Sequence, residues 1–129
     1  MSLGHVDVER QGSPKAIGRD ERSGFFRVRI LLNISPDHDW IECFKNPSTF
    51  KPDEAHPRLA EIQGNVLLFW SSEGHITENV EWIDKYTSQA NECYHRKMAE
   101  KEAEIKRQEE KMKREKEELK RINEMLEKL

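Results

Sequence analysis

The first regular pattern in the chain is an alternation of apolar and polar residues in the run FFRVRILLNI, residues 25–34. One face of this run carries Phe26, Val28, Ile30, Leu32 and Ile34, and the other carries Phe25, Arg27, Arg29, Leu31 and Asn33. A period of two residues is typical of a β-strand that buries one face. The pattern therefore predicts a strand whose more polar face contains two arginines.

The run SPDHDWIECFKNP that follows predicts a short helix. Ser35 is a suitable N-cap, Pro36 fits the first helical position, and the two nearby aspartates favour the positive end of the helix dipole. An apolar stripe then recurs at helical spacing, at Trp40, Ile41 and Phe44. We expect the helix to end before Pro47, because proline cannot continue the backbone hydrogen bonding.

Residues 58–72 predict two further strands joined by a tight turn. Gly64 and Asn65 separate two β-capable runs, which is typical of a two-residue hairpin. The second run, residues 66–70, is apolar on both faces, as expected for a central strand. Thr77 then caps a predicted helix whose apolar positions recur at helical spacing: Val80, Ile83, Tyr86 or Thr87, Ala90 and Tyr94.

The predicted order of elements is strand, helix, strand, strand, helix, which defines an α+β fold. Placing the third strand between the other two gives a small βαββα unit, a truncated ferredoxin-like arrangement. Its sheet is antiparallel and both helices lie on one face. We expect three regions: a flexible N-terminal arm at residues 1–23, the α+β domain at residues 24–95, and a charged C-terminal helix, forming a coiled coil, at residues 96–129.

Charge is unevenly distributed along the chain. Charged residues make up 36% of the sequence, and the mean hydropathy is −0.94. Residues 96–129 contain 12 Lys/Arg against 10 Asp/Glu, a net of +2, and residues 1–95 contain 10 against 15, a net of −5. Neither part has the strong positive field that non-specific nucleic-acid binding requires.

The apolar runs and the cysteines indicate where such a protein resides. No apolar run approaches the roughly 18–20 residues of a membrane span, and no signal-peptide core is present, so we expect a soluble, cytoplasmic protein. Because disulfides are uncommon in that compartment, we expect Cys43 and Cys93 to be reduced, buried thiols.

The charged C-terminal region carries a heptad pattern. No proline or glycine interrupts residues 77–129, which predicts one continuous helix about 80 Å long at 1.5 Å per residue. A heptad register places apolar residues at five successive a positions, and the intervening d positions Lys101, Gln108 and Glu115 are polar. The predicted dimer seam is Met98, Ile105, Met112, Leu119 and Leu126 at a, with Ile122 and Leu129 at d. The pattern leaves parallel and antiparallel pairing open.

Other interpretations of this helix also remain open. A lone helix would be stabilised by Glu–Lys and Glu–Arg pairs four residues apart, each contributing about 0.2–0.5 kcal/mol. These pairs are Glu102–Lys106, Glu109–Lys113, Glu110–Arg114 and Glu117–Arg121. Pairing with a helix of a different protein would use the same apolar edge. Phosphate binding is disfavoured, because interleaved glutamates cancel the positive field within a Debye length.

Three groups of residues could suggest a catalytic or metal-binding site, but their arrangement along the chain is unsuitable for either. The run DHD at residues 37–39 lies at a helix start, where neighbouring side chains point about 100° apart and cannot readily reach one ion. Cys93 and His95 are two residues apart on a helix, a poor geometry for joint zinc binding. Cys43 and His38 lack an orienting partner and an oxyanion site. We therefore expect no enzymatic activity, no metal and no cofactor.

The sequence thus predicts a protein–protein interaction module, such as an adaptor, a small regulator or an inhibitor, that forms a homodimer through its C-terminal helix. A second, partner-binding surface is predicted on the open face of the sheet, at Arg27, Arg29, Leu31, Leu67 and Phe69. The alternative is a nucleic-acid-associated protein that uses this face together with basic residues of the arm: Arg10, Lys15, Arg19 and Arg22.

Overall fold

The computed structural model describes residues 7–49 and 54–129. Within these residues the fold comprises four strands and two helices, named in chain order: β1 Lys15–Arg19, β2 Phe26–Leu31, α1 His38–Lys45, β3 Glu61–Gln63, β4 Val66–Ser71 and α2 Ile76–Glu127. Short 3-10 turns lie at Pro57–Leu59 and Glu73–His75. The chain divides into two compact units, which we call the head, up to His95, and the C-terminal segment, residues 96–129.

The head is built on an antiparallel sheet with strand order β1-β2-β4-β3. Strand β4 lies between β2 and β3, as predicted for the three strands that the sequence identifies. Gly64, with φ of 60°, begins the tight turn between β3 and β4, where a positive φ favours glycine. The α+β class and the antiparallel sheet are confirmed, and the ferredoxin-like relationship stays a prediction.

Both helices contribute to one hydrophobic cluster with one face of the sheet. The sheet supplies Val28, Ile30, Leu67 and Phe69, and the helices supply Trp40, Phe44, Ile83, Tyr86 and Ala90. The ring of Phe44 stacks on Trp40 with 5.4 Å between centroids and meets Tyr86 edge-on at 6.1 Å. Aromatic rings contribute large buried areas, so these three rings fasten α1 to the buried part of α2.

Strand β1 lies in the region that the sequence predicts to be a flexible arm. It pairs with the edge of β2, with Lys15 opposite Arg29 and Arg19 opposite Phe26. All five of its residues are exposed. An edge strand without a buried face carries no apolar alternation, so its hydrogen bonds to β2 leave no mark in the pattern. The flexible-arm prediction is therefore wrong for residues 15–19, and residues 1–6 lie outside the described residues.

The side chain of Asn91 on α2 forms hydrogen bonds with the chain that precedes β1. Its side-chain oxygen accepts hydrogen bonds from the indole N–H of Trp40 at 2.8 Å and from the backbone N–H of Val8 at 2.9 Å. Its amide nitrogen donates to the backbone carbonyl of Val8 at 2.9 Å. Val8 is buried in the same hydrophobic cluster. One buried apolar residue and one amide thus order a segment whose composition resembles a tail.

Helix α1 begins at His38, with Asp37 rather than the predicted Ser35 as its N-cap. One carboxylate oxygen of Asp37 accepts a hydrogen bond from the N–H of Trp40 at 3.0 Å. The other accepts one from the hydroxyl of Tyr94 at 2.7 Å. This hydrogen bond is the main cause, and burial the second, that raises the pKa of Tyr94 to about 12. Ser and Asp are comparable N-caps, so the local sequence could not decide between them, whereas the contact with α2 engages Asp37.

Cys43 on α1 and Cys93 on α2 form a disulfide, which corrects the prediction of two reduced thiols. Their Cα atoms lie 5.8 Å apart, within the usual range for a disulfide. The two residues are separated by 50 positions in the sequence. They meet because α1 and α2 pack on the same face of the sheet, a proximity that cysteine spacing alone cannot reveal.

Candidate functional site

The predicted dimer seam lies on the C-terminal segment, and most of its side chains are exposed. Helix α2 continues without a break from Ile76 to Glu127. The a-position side chains of Ile105, Met112, Leu119 and Leu126 are between 56% and 68% exposed. Apolar side chains of this size, repeated along one edge of a helix, form a stripe that is available for packing.

The ends of the seam differ from its middle. Met98 is half-buried, whereas Ile122 is exposed and Leu129 lies just beyond the end of α2. The register also places Met125 beside the seam, and its side chain is exposed, although the sequence-based prediction did not include it. The apolar stripe is therefore widest near the C-terminal end of the helix, where several apolar side chains lie close together.

The open sheet face differs from the predicted one at two of its five residues. Leu67 is 0% exposed and Phe69 is 2% exposed, because both point into the hydrophobic cluster. Leu67 pairs with Ile30 and Phe69 pairs with Val28 across the β2–β4 ladder. Directly paired residues share a face of the sheet, so the prediction of Leu67 and Phe69 on the partner surface is wrong.

Leu68 and Trp70 occupy the positions on the open face that the prediction gave to their neighbours. Leu68 pairs with Arg29, and Trp70 pairs with Arg27. Leu31 is 41% exposed and Trp70 is 39% exposed. Strand β4 is apolar on both faces, so its sequence does not show which face is buried. A shift of one residue in the pairing would exchange the buried side chains with the open-face ones.

The two arginines of the open face have different surroundings. Arg27 donates a hydrogen bond to a carboxylate oxygen of Glu61 at 2.8 Å, and its guanidinium lies 5.0 Å from the ring centroid of Trp70. Its side chain is only 14% exposed, and its guanidinium group lies close to both the Glu61 carboxylate and the Trp70 ring. Arg29 lies opposite Lys15 of β1. These two residues place neighbouring positive charges beside the apolar side chains of the face.

A polar cluster around Glu54 lies where β4 leads into α2, and the sequence-based reasoning missed it. The Glu54 carboxylate accepts hydrogen bonds from the backbone N–H of Ser72 at 2.6 Å and from its hydroxyl at 2.8 Å. The buried amide of Asn79 donates to Glu54 at 3.2 Å and to the hydroxyl of Ser71 at 2.9 Å. The sequence does not predict this cluster, because Glu54 lies in a separate loop, far along the chain from Ser72 and Asn79.

The cluster contains Ser, His and Glu but does not have the order of a proton relay. Nδ1 of His75 lies 3.0 Å from the Ser72 hydroxyl and 3.3 Å from the Glu54 carboxylate. A catalytic triad places the nucleophile and the carboxylate on opposite nitrogens of the imidazole ring. Here one nitrogen faces both groups, an arrangement that holds the start of α2 in position.

Hydrogen bonding sets the ionisation of Glu54. Burial alone would raise the pKa of this carboxyl group. The hydrogen bonds from Ser72, the charge of His75 and the amide of Asn79 outweigh that effect, so the pKa of Glu54 lies below its usual value. The carboxylate form is therefore the one that the folded head favours.

Replacing Glu54 with glutamine is expected to lower the free energy of unfolding at pH 7 by about 1 kcal/mol. Because the folded-state pKa lies below the ordinary value of 4.5, the carboxylate stabilises the fold fully above that pH. This contribution is lost as the pH falls through the folded-state pKa. The destabilisation of E54Q relative to wild type should therefore be present at about pH 5 and above, and it should shrink as the pH falls further.

Urea unfolding at neutral and acidic pH measures this gap. The matched control is Glu73→Gln, which neutralises an exposed acid at the neighbouring 3-10 turn. E73Q should differ little from wild type at any pH. A gap for E54Q that stays the same in acid would contradict the proposed role of the carboxylate.

His38 and His95, which the sequence analysis considered as parts of a catalytic or metal site, each lie beside one carboxylate. His38 is exposed and 3.8 Å from Glu42, and His95 lies 2.7 Å from a carboxylate oxygen of Asp7. Across residues 7–49 and 54–129, no group of three His, Cys, Asp or Glu side chains is placed to hold a metal ion. Cys43 is part of the disulfide and therefore carries no thiol for catalysis.

Comparisons with known proteins give no relationship from which a function could be transferred. No protein-family model matches the chain, and neither a curated protein nor a solved structure is similar to it. In the part of the chain that the structure describes, no helix is both long enough and apolar enough to span a membrane.

Proposed function

We propose that this protein is a non-enzymatic interaction module, an adaptor, small regulator or inhibitor, that forms a homodimer through its C-terminal segment. The observation that carries the proposal is the exposed apolar stripe on an uninterrupted helix, with Ile105, Met112, Leu119 and Leu126 one heptad apart. A lone helix gains nothing from apolar residues at this spacing, whereas two helices bury them against each other.

The charged residues of the segment fit the same function. Outside the seam, Glu alternates with Lys and Arg, and this mixture keeps a helix in water and supports its hydrogen bonding. Glu104, for example, accepts hydrogen bonds from Arg107 and from Gln108 within the segment. We assign the charged surface to solubility and the apolar edge to association.

The open sheet face is the proposed contact for a protein partner. Leu31, Leu68 and Trp70 supply apolar area, and Arg29 with Lys15 supplies positive charge beside it. An interface with an apolar centre and a charged rim is typical of protein–protein recognition. The complementary partner would present apolar side chains together with acidic ones, and dimerisation would offer it two such faces.

The alternative function, nucleic-acid association, is favoured by one observation: Arg29 and the exposed Trp70 share the open face. Aromatic rings beside basic residues are typical of single-stranded RNA recognition. Two facts disfavour it. Residues 1–95 carry a net charge of −5, and Arg27 is already engaged by Glu61. Titration with labelled single-stranded RNA and duplex DNA at two salt concentrations distinguishes the alternatives, since nucleic-acid binding must weaken as salt rises.

Sedimentation equilibrium of the wild-type chain tests the proposed dimer. The expected result is a mass of about twice 15.3 kDa at tens of micromolar, with dissociation on dilution. A monomer across this concentration range would overturn the proposed function.

A further inference from the structure

We propose that the two C-terminal segments of the dimer pair antiparallel, in one specific register. This inference rests on the proposed function, because it assigns the orientation of the same seam. In this register Met98 of one copy faces Leu129 of the second copy, and Ile105 faces Ile122. The residues concerned lie on one continuous helix, apart from Leu129, which lies two residues beyond its end. The heptad positions therefore keep a constant spacing, and each register can be compared by its contacts.

Parallel pairing in register would place like charges together at the seam. Each residue at a d position then meets its own copy. Lys101 would face Lys101 and Glu115 would face Glu115. At the flanks, where g and e positions meet, Glu104 would lie beside Glu109 and Lys111 beside Lys116. Burying or juxtaposing like charges destabilises an interface.

Antiparallel pairing removes these conflicts, because each a position then faces a d position. In the proposed register, Lys101, Gln108 and Glu115 each face an apolar side chain instead of their own copy. These facing residues are Leu126, Leu119 and Met112, in that order. Lys, Gln and Glu have long aliphatic stems, so they can cover an apolar neighbour and keep the polar end in water.

The flanking charges single out this register among the antiparallel ones. Positions g pair with g, and positions e pair with e, so Lys111 lies beside Glu118 and Glu109 lies beside Lys116. Each pair occurs twice in the symmetric dimer. A shift by one heptad in one direction sets Glu109 and Lys111 each against its own copy. The opposite shift does the same to Lys116 and Glu118. Only the proposed register makes these four flanking contacts attractive.

Variants with one added cysteine test the orientation directly. In the antiparallel register, Ile105→Cys and Ile122→Cys should form an intermolecular disulfide only when the two variants are mixed. In the parallel alternative, each variant should link to itself when oxidised alone. Mass spectrometry of the linked peptides distinguishes these products from any that involve Cys43 or Cys93, and the wild-type chain is the control.

Reversing one flanking charge also tests the register, because the antiparallel and parallel dimers predict opposite changes in affinity. Lys116→Glu should weaken association about fivefold or more in the proposed register, since it turns two attractive contacts with Glu109 into repulsive ones. In the parallel dimer the same change removes repulsion from Lys111 and should tighten association. Adding Glu109→Lys to Lys116→Glu should restore the affinity. Lys120→Glu makes the same charge change on the outer face and should have little effect, with helicity checked by circular dichroism.

The outcomes separate this inference from the proposed function. A wild-type chain that stays monomeric overturns both. A dimer whose single variants cross-link to themselves, or which K116E stabilises, overturns the antiparallel register alone and leaves dimerisation standing. Cross-linking only in the mixture, together with weakening by K116E and rescue by the double exchange, supports the register.

Discussion

Changing Ile122 and Leu126 together to aspartate is expected to convert the dimer into a monomer at tens of micromolar. Both side chains are exposed on the C-terminal segment, and both belong to the widest part of its apolar stripe. In a dimer the double variant alters four side chains at once. Each forfeits about 1 kcal/mol or more of apolar burial, and the change at Ile122 also sets a charge against the apolar Ile105 of the second copy.

The expected loss of affinity is at least about a hundredfold, because four such changes exceed 2.7 kcal/mol together. Sedimentation equilibrium measures it. The matched control is Ala99→Asp with Ala103→Asp, which adds the same two charges at exposed positions on the side of the helix away from the seam. The control should remain dimeric. Equal weakening by both double variants would show that added charge, and not the apolar edge, is responsible.

The seam is the part of the candidate site that sequence can predict best, and the reason is its one-dimensional nature. A heptad repeat depends on residues seven positions apart on the same helix, so the pattern contains its own geometry. The structure adds that α2 is continuous and that Ile105 and Leu119 are exposed on it. Whether two copies meet there stays a prediction until association is measured.

The open sheet face shows where sequence patterns stop being informative. In β2 the arginines mark the polar face, and Arg27 and Arg29 lie where the alternation predicts them. In β4 both faces are apolar, so the burial of Leu67 depends on its pairing with Ile30. That pairing is a property of the assembled sheet, and the sequence of β4 alone supports either register.

The sequence could not predict the structure of residues 7–19 for a different physical reason. Strand β1 gains its position from backbone hydrogen bonds, which any residue except proline can make. Val8 and Asn91 are hydrogen-bonded although they are 83 positions apart in the sequence. A single buried valine produces no periodic hydrophobic pattern. The Glu54 cluster has the same origin, since its members come from a loop, the end of β4 and the start of α2.

Removing the disulfide is expected to lower the free energy of unfolding of the head by about 2–4 kcal/mol. The bond links Cys43 to Cys93 across a long stretch of chain, so its loss frees many conformations of the unfolded chain. For a head with a modest core this is a large share of total stability, about 5–15 kcal/mol for natural domains. Urea unfolding of Cys43→Ala with Cys93→Ala, beside wild type, measures the loss.

Reductant supplies the control for this prediction. It should destabilise the wild-type chain by a similar amount and leave the C43A/C93A variant unchanged, because only the former has a bond to break. Association through the C-terminal segment should hardly change in either case, since both cysteines belong to the head. If reductant left the wild type unaffected and two thiols reacted after unfolding, the cysteines would be reduced. That result would contradict the disulfide between Cys43 and Cys93.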